Sequence, residues 1–230
     1  MRKLSPGDMY VQASLRGLQN AQVQALLPEL QRCAGSHGLL LSAGGEGPPA
    51  LPLLACWAHL HVEGERYGGD VAAAPAEPLP FVDDAFDLVW LRHALEVVPA
   101  PHEVLKEAMR VLAPGGTLVV AGMHPVSAWS PWFYWMTRGQ SQRRLLAPMT
   151  VRHLLRQGGM ELASQRRVGS AWPSAGYGSV PGGGWCGGSY ILVATKRRAA
   201  LTPLRLRANL PVAADARLAP SAGARRSAVS

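Results

Sequence analysis

His93 and His124 are the side chains in this sequence best suited to moving a proton near neutral pH, where an unperturbed imidazole titrates. Each follows an apolar run: Phe86 to Leu91 precedes His93, and Thr117 to Ala121 precedes His124. As neighbouring parallel strands, these runs put both histidines outside the carboxyl ends of a sheet, where open α/β proteins hold ligands. There His93 can act as a general base, line a pocket with its ring, or simply pack at a strand terminus. A third feature is Ala43-Gly44-Gly45-Glu46-Gly47, directly after the apolar Leu39-Leu40-Leu41-Ser42. Glycines there let backbone approach a ligand with no Cβ in the way, though a plain surface turn has the same composition.

The elements that must position these residues are clearest between Leu79 and Gly122. Phe86–Leu91 has the composition of a strand buried on both faces. Pro101 suits the first turn of a helix, where a missing N–H costs nothing. Val104, Leu105, Ala108, Val111 and Leu112 recur at helical spacing and form one apolar stripe. Pro114-Gly115-Gly116 ends that helix, and Thr117–Ala121 is the next buried strand. Parallel strands joined this way need a right-handed crossover, which places the helix on a face of a parallel sheet.

The wording of this unit is more specific than its periodicity. Leu79-Pro80-Phe81, then Asp83-x-x-Phe86-Asp87-Leu88-Val89, then Arg110-Val111-Leu112-x-Pro114-Gly115-Gly116-x-Leu118 resembles class I S-adenosylmethionine-dependent methyltransferases of the type 11 kind, over about residues 38–205. The resemblance implies an α/β fold: a Rossmann-like, doubly wound, mostly parallel sheet with an antiparallel strand at one edge. It implies S-adenosylmethionine as cofactor, with Ala43, Gly44, Gly45 and Gly47 in the nucleotide loop. Glu63 stands where the family holds the ribose, and Asp70 resembles its acid near the adenine. His93 and His124 face the transferable methyl group and the acceptor. The chain departs from the pattern at Ala43, the first glycine position, and at Leu41, where the family carries an acid for the cofactor's amino-acid end.

The first half is also short. Leu51–Trp57 is expected to form a helix and Ala58–Val62 a second strand. Fifteen positions separate Glu63 from Leu79. A strand such as Tyr67–Ala72 fits there, but a packed helix of about 10–12 residues does not fit as well. These features are similar to a bacterial subgroup with a shortened, degenerate N-terminal half.

Three regions make up the chain: a helical segment over 1–36, the methyltransferase-like domain over 37–196, and a tail over 197–230. Leu15, Leu18, Val23, Leu26, Leu27 and Leu30 give the first segment an apolar face, with Pro28 able to kink it. That segment either lies over the cofactor pocket or packs on the sheet edge. Trp129, Trp132, Phe133, Tyr134 and Trp135 either cover the site or pack against the sheet. Thr150 is expected to cap a helix ending at Gln157. Met160–Val168 and Ser189–Thr195 are the last two strands, with a glycine-rich loop over 176–188 between them.

The 230 residues are 48% hydrophobic, which excludes wholesale disorder, and the formal charge is +8. Residues 196–230 hold eight basic side chains against Asp215, so the charge belongs to a basic, compositionally disordered tail. Such a tail can make weak, non-specific nucleic-acid contact, and without interleaved aromatics it is no sequence reader. No run reaches the roughly 18 apolar residues of a membrane span. The N-terminus lacks a signal-peptide core, and Cys33, Cys56 and Cys186 have no metal-ligand spacing. The expectation is a soluble cytoplasmic methyltransferase acting on an unknown, small-molecule methyl acceptor. The alternative is a degenerate scaffold that serves as a binding module.

Overall fold

The computed structural model describes residues 13–63, 66–71, 78–137, 144–173 and 187–197. The chain divides after Ala199, and every described residue falls in the first unit, Met1–Ala199. The expected tail and most of the glycine-rich loop lie outside the described residues.

Seven strands form one sheet: β1 (Gly35–Ser42), β2 (Leu54–Glu63), β3 (Arg66–Gly69), β4 (Phe86–Arg92), β5 (Leu112–Met123), β6 (Met160–Val168) and β7 (Ser189–Lys196). Their order is β3-β2-β1-β4-β5-β7-β6. β2, β1, β4 and β5 run parallel, and β7 is antiparallel to both β5 and β6. The helices are α1 (Ala13–Leu30), α2 (Pro101–Val111), α3 (Trp129–Met136) and α4 (Pro148–Gln157), with a 3-10 turn at Ala94–Glu96.

Alternate residues of each strand face opposite sides, giving two apolar clusters. On one side, Leu39, Leu41, Val89, Leu91, Leu118 and Val120 pack against α2, α3 and α4. On the other, Leu40, Leu88, Trp90, Val119 and Ile191 meet Leu26 and Leu30 of α1. α2 follows its sequence signals: Pro101 opens it, Glu103 and Arg110 match its dipole, and Val104, Leu105, Ala108 and Val111 are buried. α1 continues through Pro28 to Leu30.

The first half differs from expectation in three ways. Leu51–Trp57 is not a helix: β2 begins at Leu54, which pairs with Gly35, while Trp57 pairs with Gly38. Pro48, Pro49 and Pro52 remove donors and push their preceding residues out of helical geometry, so positions 43–53 cross back without a helix. The third strand is Arg66–Gly69, and it is antiparallel to β2, with Tyr67 opposite Val62 and Glu63 opposite Arg66. Two strands joined by so short a link can only form a hairpin. The sheet therefore carries an antiparallel strand at this edge as well. Gly69 holds a positive φ of 119° where a Cβ would strike the His59 carbonyl, so glycine is required to close the ladder.

Elsewhere Thr150 is not a cap. α4 starts at Pro148 after Ala147, with no side-chain cap hydrogen bond, because proline at the first turn removes one of the donors that a cap would satisfy.

Candidate active site

Strand order reverses between β1 and β4, which makes their carboxyl ends the switch point of the sheet. The two ends are stitched together beyond the strands. Ala43 N–H donates to the Arg92 carbonyl at 3.0 Å, and Ser42 bridges His93. The Ser42 hydroxyl donates to the Gly44 carbonyl and lies 3.1 Å from His59 Nε2. Arg92 Nη2 donates to the Glu46 carbonyl, so the guanidinium spans from β4 to the loop after β1. Its Cζ lies 5.6 Å from the Trp90 ring centroid.

α1 closes this end of the sheet from above. Leu15, Leu18, Gln19, Gln22, Leu26 and Leu30 form its buried face, at three- and four-residue spacing. Leu15 and Leu18 join the first cluster, Leu26 and Leu30 the second, and the two glutamines come between them. Gln22 Nε2 is 3.0 Å from His93 Nε2, and Arg16 Nε is 3.7 Å from the Glu46 carboxylate. Its first half thus reaches the strand ends at the switch point, and its second half packs on a face of the sheet.

His93 is fully buried in a left-handed conformation, φ 56°. Its Nδ1 lies 3.1 Å from both carboxylate oxygens of Glu96, and Glu96 in turn accepts the Met123 N–H. A carboxylate beside Nδ1 favours the proton there and leaves Nε2 to accept from the Gln22 amide. His124, at the end of β5, is half-buried. Its Nδ1 accepts Val126 N–H at 3.1 Å, and its ring meets Tyr190 edge-on at 6.4 Å. Burial, then the Arg167 charge, holds its pKa below the ordinary histidine value.

Among the loop residues, Ala43 and Gly44 are buried, whereas Gly45 and Gly47 are exposed with open space where a side chain would project. Leu41 is fully buried in the first cluster. Asp70 accepts the His59 N–H at 2.7 Å and returns its own N–H to the His59 carbonyl, so it brackets the β2–β3 hairpin. Glu63 ends β2, and its side chain lies outside the described residues. The structure thus joins Ala43, Gly44 and His93 at one place, connects Asp70 to it only through His59 and Ser42, and sets His124 one strand further along. Reading the sequence missed Arg92, Glu96, Gln19 and Gln22. Their signal was two polar residues on a leucine-lined helical face and an arginine–histidine pair closing an apolar strand.

The sequence model of the methyltransferase-domain family matches residues 53–120, from β2 through most of β5. The uncharacterized Escherichia coli (strain K12) protein YafS is 44% identical over 54 residues, 23% of this chain and 22% of its own. A demethylmenaquinone methyltransferase of Clavibacter sepedonicus is 38% identical over 101 residues, 38% of this chain and 41% of its own. The chain thus matches less than half the length of either relative. An S-adenosylmethionine-dependent methyltransferase structure from Thermotoga maritima shares the fold at a TM-score of 0.53 and 15% identity, covering 83% of this chain and 94% of that one. Residues 53–120 thus carry a methyltransferase-domain likeness, on a fold shared with an S-adenosylmethionine-dependent methyltransferase structure.

In an open α/β sheet of this order, a ligand's place is the β1–β4 switch point. Leu41 offers no charge there, and Asp70 is committed to backbone. Other polar groups remain unsatisfied. Gln19 Oε1, Gln22 Oε1 and Arg92 Nε are buried without hydrogen-bond partners among the described residues. No acidic side chain there pairs with Arg92, although Glu46 lies close enough to act on its charge. Buried donors and acceptors left unmade are costly, so a charged, polar ligand fits what this end of the sheet presents.

Proposed function

We propose that this methyltransferase moves a methyl group from S-adenosylmethionine to a small-molecule acceptor in the cytoplasm. The observation that carries the reading is the set of buried, unmatched polar atoms at the switch point of a methyltransferase sheet. The cofactor supplies a carbon already activated by a sulfonium. The chain's own share is positioning and exclusion of water. Gly45 and Gly47 leave room beside the loop, and α1 shields the strand ends through Leu15, Leu18 and Gln22. His93, held by Glu96, and His124, kept neutral by burial, are the candidate bases toward the acceptor. Ala43, Gly44, Gly45 and Gly47 remain the proposed nucleotide loop, with Glu63 and Asp70 proposed beyond it. The quinone methyltransferase among the relatives makes an aromatic, apolar acceptor the first to try.

Calorimetric titration with S-adenosylhomocysteine tests this. Binding is expected, and ligand at 100 times its Kd adds about 2.7 kcal/mol of stability. No heat and no thermal shift at millimolar ligand refutes it. The Ala43–Arg92 hydrogen bond, which narrows the gap between β1 and β4, favours the second reading, a scaffold that binds partners without the cofactor. That negative result would select it.

A further inference from the structure

Resting on the methyl-transfer reading, we propose that Arg92, Gln19 and Gln22 replace the missing acid at Leu41 and hold the cofactor's α-amino-acid end, Arg92 taking the carboxylate and the two glutamine carbonyls the ammonium. Arg92 is 3% exposed, Gln19 3% and Gln22 0%. Arg92 is a cation with one carbonyl partner and a free Nε, a state that a buried charge does not tolerate without an anion. Two glutamines on the leucine face of α1 each leave a carbonyl oxygen unmatched. Leucine at Gln19 would fill the same stripe without stranding a polar atom, and the bond from Gln22 to His93 uses only its amide nitrogen, so packing does not explain the two carbonyl oxygens.

The three groups belong to one place. Gln22 is bonded to His93, the residue after Arg92, and Gln19 lies one turn along the same face. Arg16 and Arg92 both reach Glu46, which sets the loop, the end of β4 and the first half of α1 around a common centre. Donor and acceptor types then match a zwitterion: a guanidinium fork suits a carboxylate, and amide carbonyls suit an ammonium. Leu41 points into the apolar cluster and plays no part.

The test is calorimetry on the full chain with S-adenosylhomocysteine and with 5′-methylthioadenosine, which keeps the adenosine and sulfur but lacks the amino-acid end. S-adenosylhomocysteine should bind at least about tenfold more tightly. Arg92→Met and Gln19→Leu should each weaken it about tenfold and leave 5′-methylthioadenosine unchanged. With the decarboxylated analogue, Gln19→Leu should still weaken binding while Arg92→Met no longer does. Equal affinity for the first two ligands in the unmodified chain overturns the assignment, and that comparison stands even if a variant fails to fold. Variants that bind S-adenosylhomocysteine undiminished also overturn it. Failure of both ligands to bind overturns the methyl-transfer reading itself, which separates the two claims.

Discussion

Arg110 donates to the carbonyls of Leu79 and Phe81, at 3.0 and 2.9 Å, and to the carboxylates of Asp83 and Glu107, at 2.6 and 2.8 Å. It thereby fastens the segment entering β4 onto α2. Hydrogen bonds to charged groups contribute about 1.5–3 kcal/mol, and several converge here, so Arg110→Met should lower stability by about 2–4 kcal/mol in urea denaturation. The Arg110 N–H groups hold the Glu107 carboxyl below its ordinary value, with the Leu79 N–H adding to the effect. A depressed carboxyl stabilises the fold above its unfolded pKa, near about 4.3, and that share is lost as pH falls through the folded value. Glu107→Gln should therefore flatten the acid limb of the stability profile relative to the unmodified chain. An unchanged limb would show that the pair does not govern acid unfolding. The same side chain shows what a sequence can and cannot disclose. Arg110 was visible as a motif residue, but its partners at Leu79 and Phe81 required knowing how the entering segment folds back.

At the scale of elements, α1 supplies the described helical cover for the second face of the sheet, through Leu26 and Leu30. Leu30 is fully buried, and Leu30→Ala should cost about 2–5 kcal/mol by the usual transfer and cavity terms. A loss under about 1 kcal/mol would mean that α1 is only loosely held there. The β4–α2–β5 unit was legible in order and type because its strands are buried on both faces and its helix on one, but Leu112, read as part of the helix, and Pro114-Gly115-Gly116, read as its stop, lie in β5, which begins at Leu112. β7 was legible for the same reason, and β6 also falls where expected although it is a half-exposed edge strand. The first half was not. Leu51, Leu54 and Trp57 fall at helical spacing, yet the latter two pair with Gly35 and Gly38, and that register is set by β1. That β3 turns back on β2 follows from the two positions between them, but only once the strand bounds Leu54–Glu63 and Arg66–Gly69 replace the expected Ala58–Val62 and Tyr67–Ala72. The site was legible where glycine and histidine mark it and illegible where Gln19 and Gln22 do. Their importance depends on the phase of α1 against the sheet, which leucine spacing alone leaves free.

For the whole molecule, the lack of a helix between β1 and β2 changes how its two ends communicate. β1 ends at Ser42 beside the ligand-facing loop, while β2 begins at Leu54 opposite Gly35, at the far end of the sheet. A strand of this length runs about 23 Å, and the unwound chain over positions 43–53 reaches at most about 36 Å. About a third of that reach is left over, so the strap is not taut and couples its ends through order rather than tension. A ligand that orders Ala43–Gly47 also orders the chain leading to the anchor where Gly35 N–H meets the Leu53 carbonyl at 3.1 Å. Hydrogen exchange should accordingly slow at Gly35 and Leu54 when S-adenosylhomocysteine is added, and not at residues 43–47 alone. Protection confined to the loop would refute the coupling. With no helix between β1 and β2, the bare chain joining them is the route by which order at the loop reaches the opposite rim.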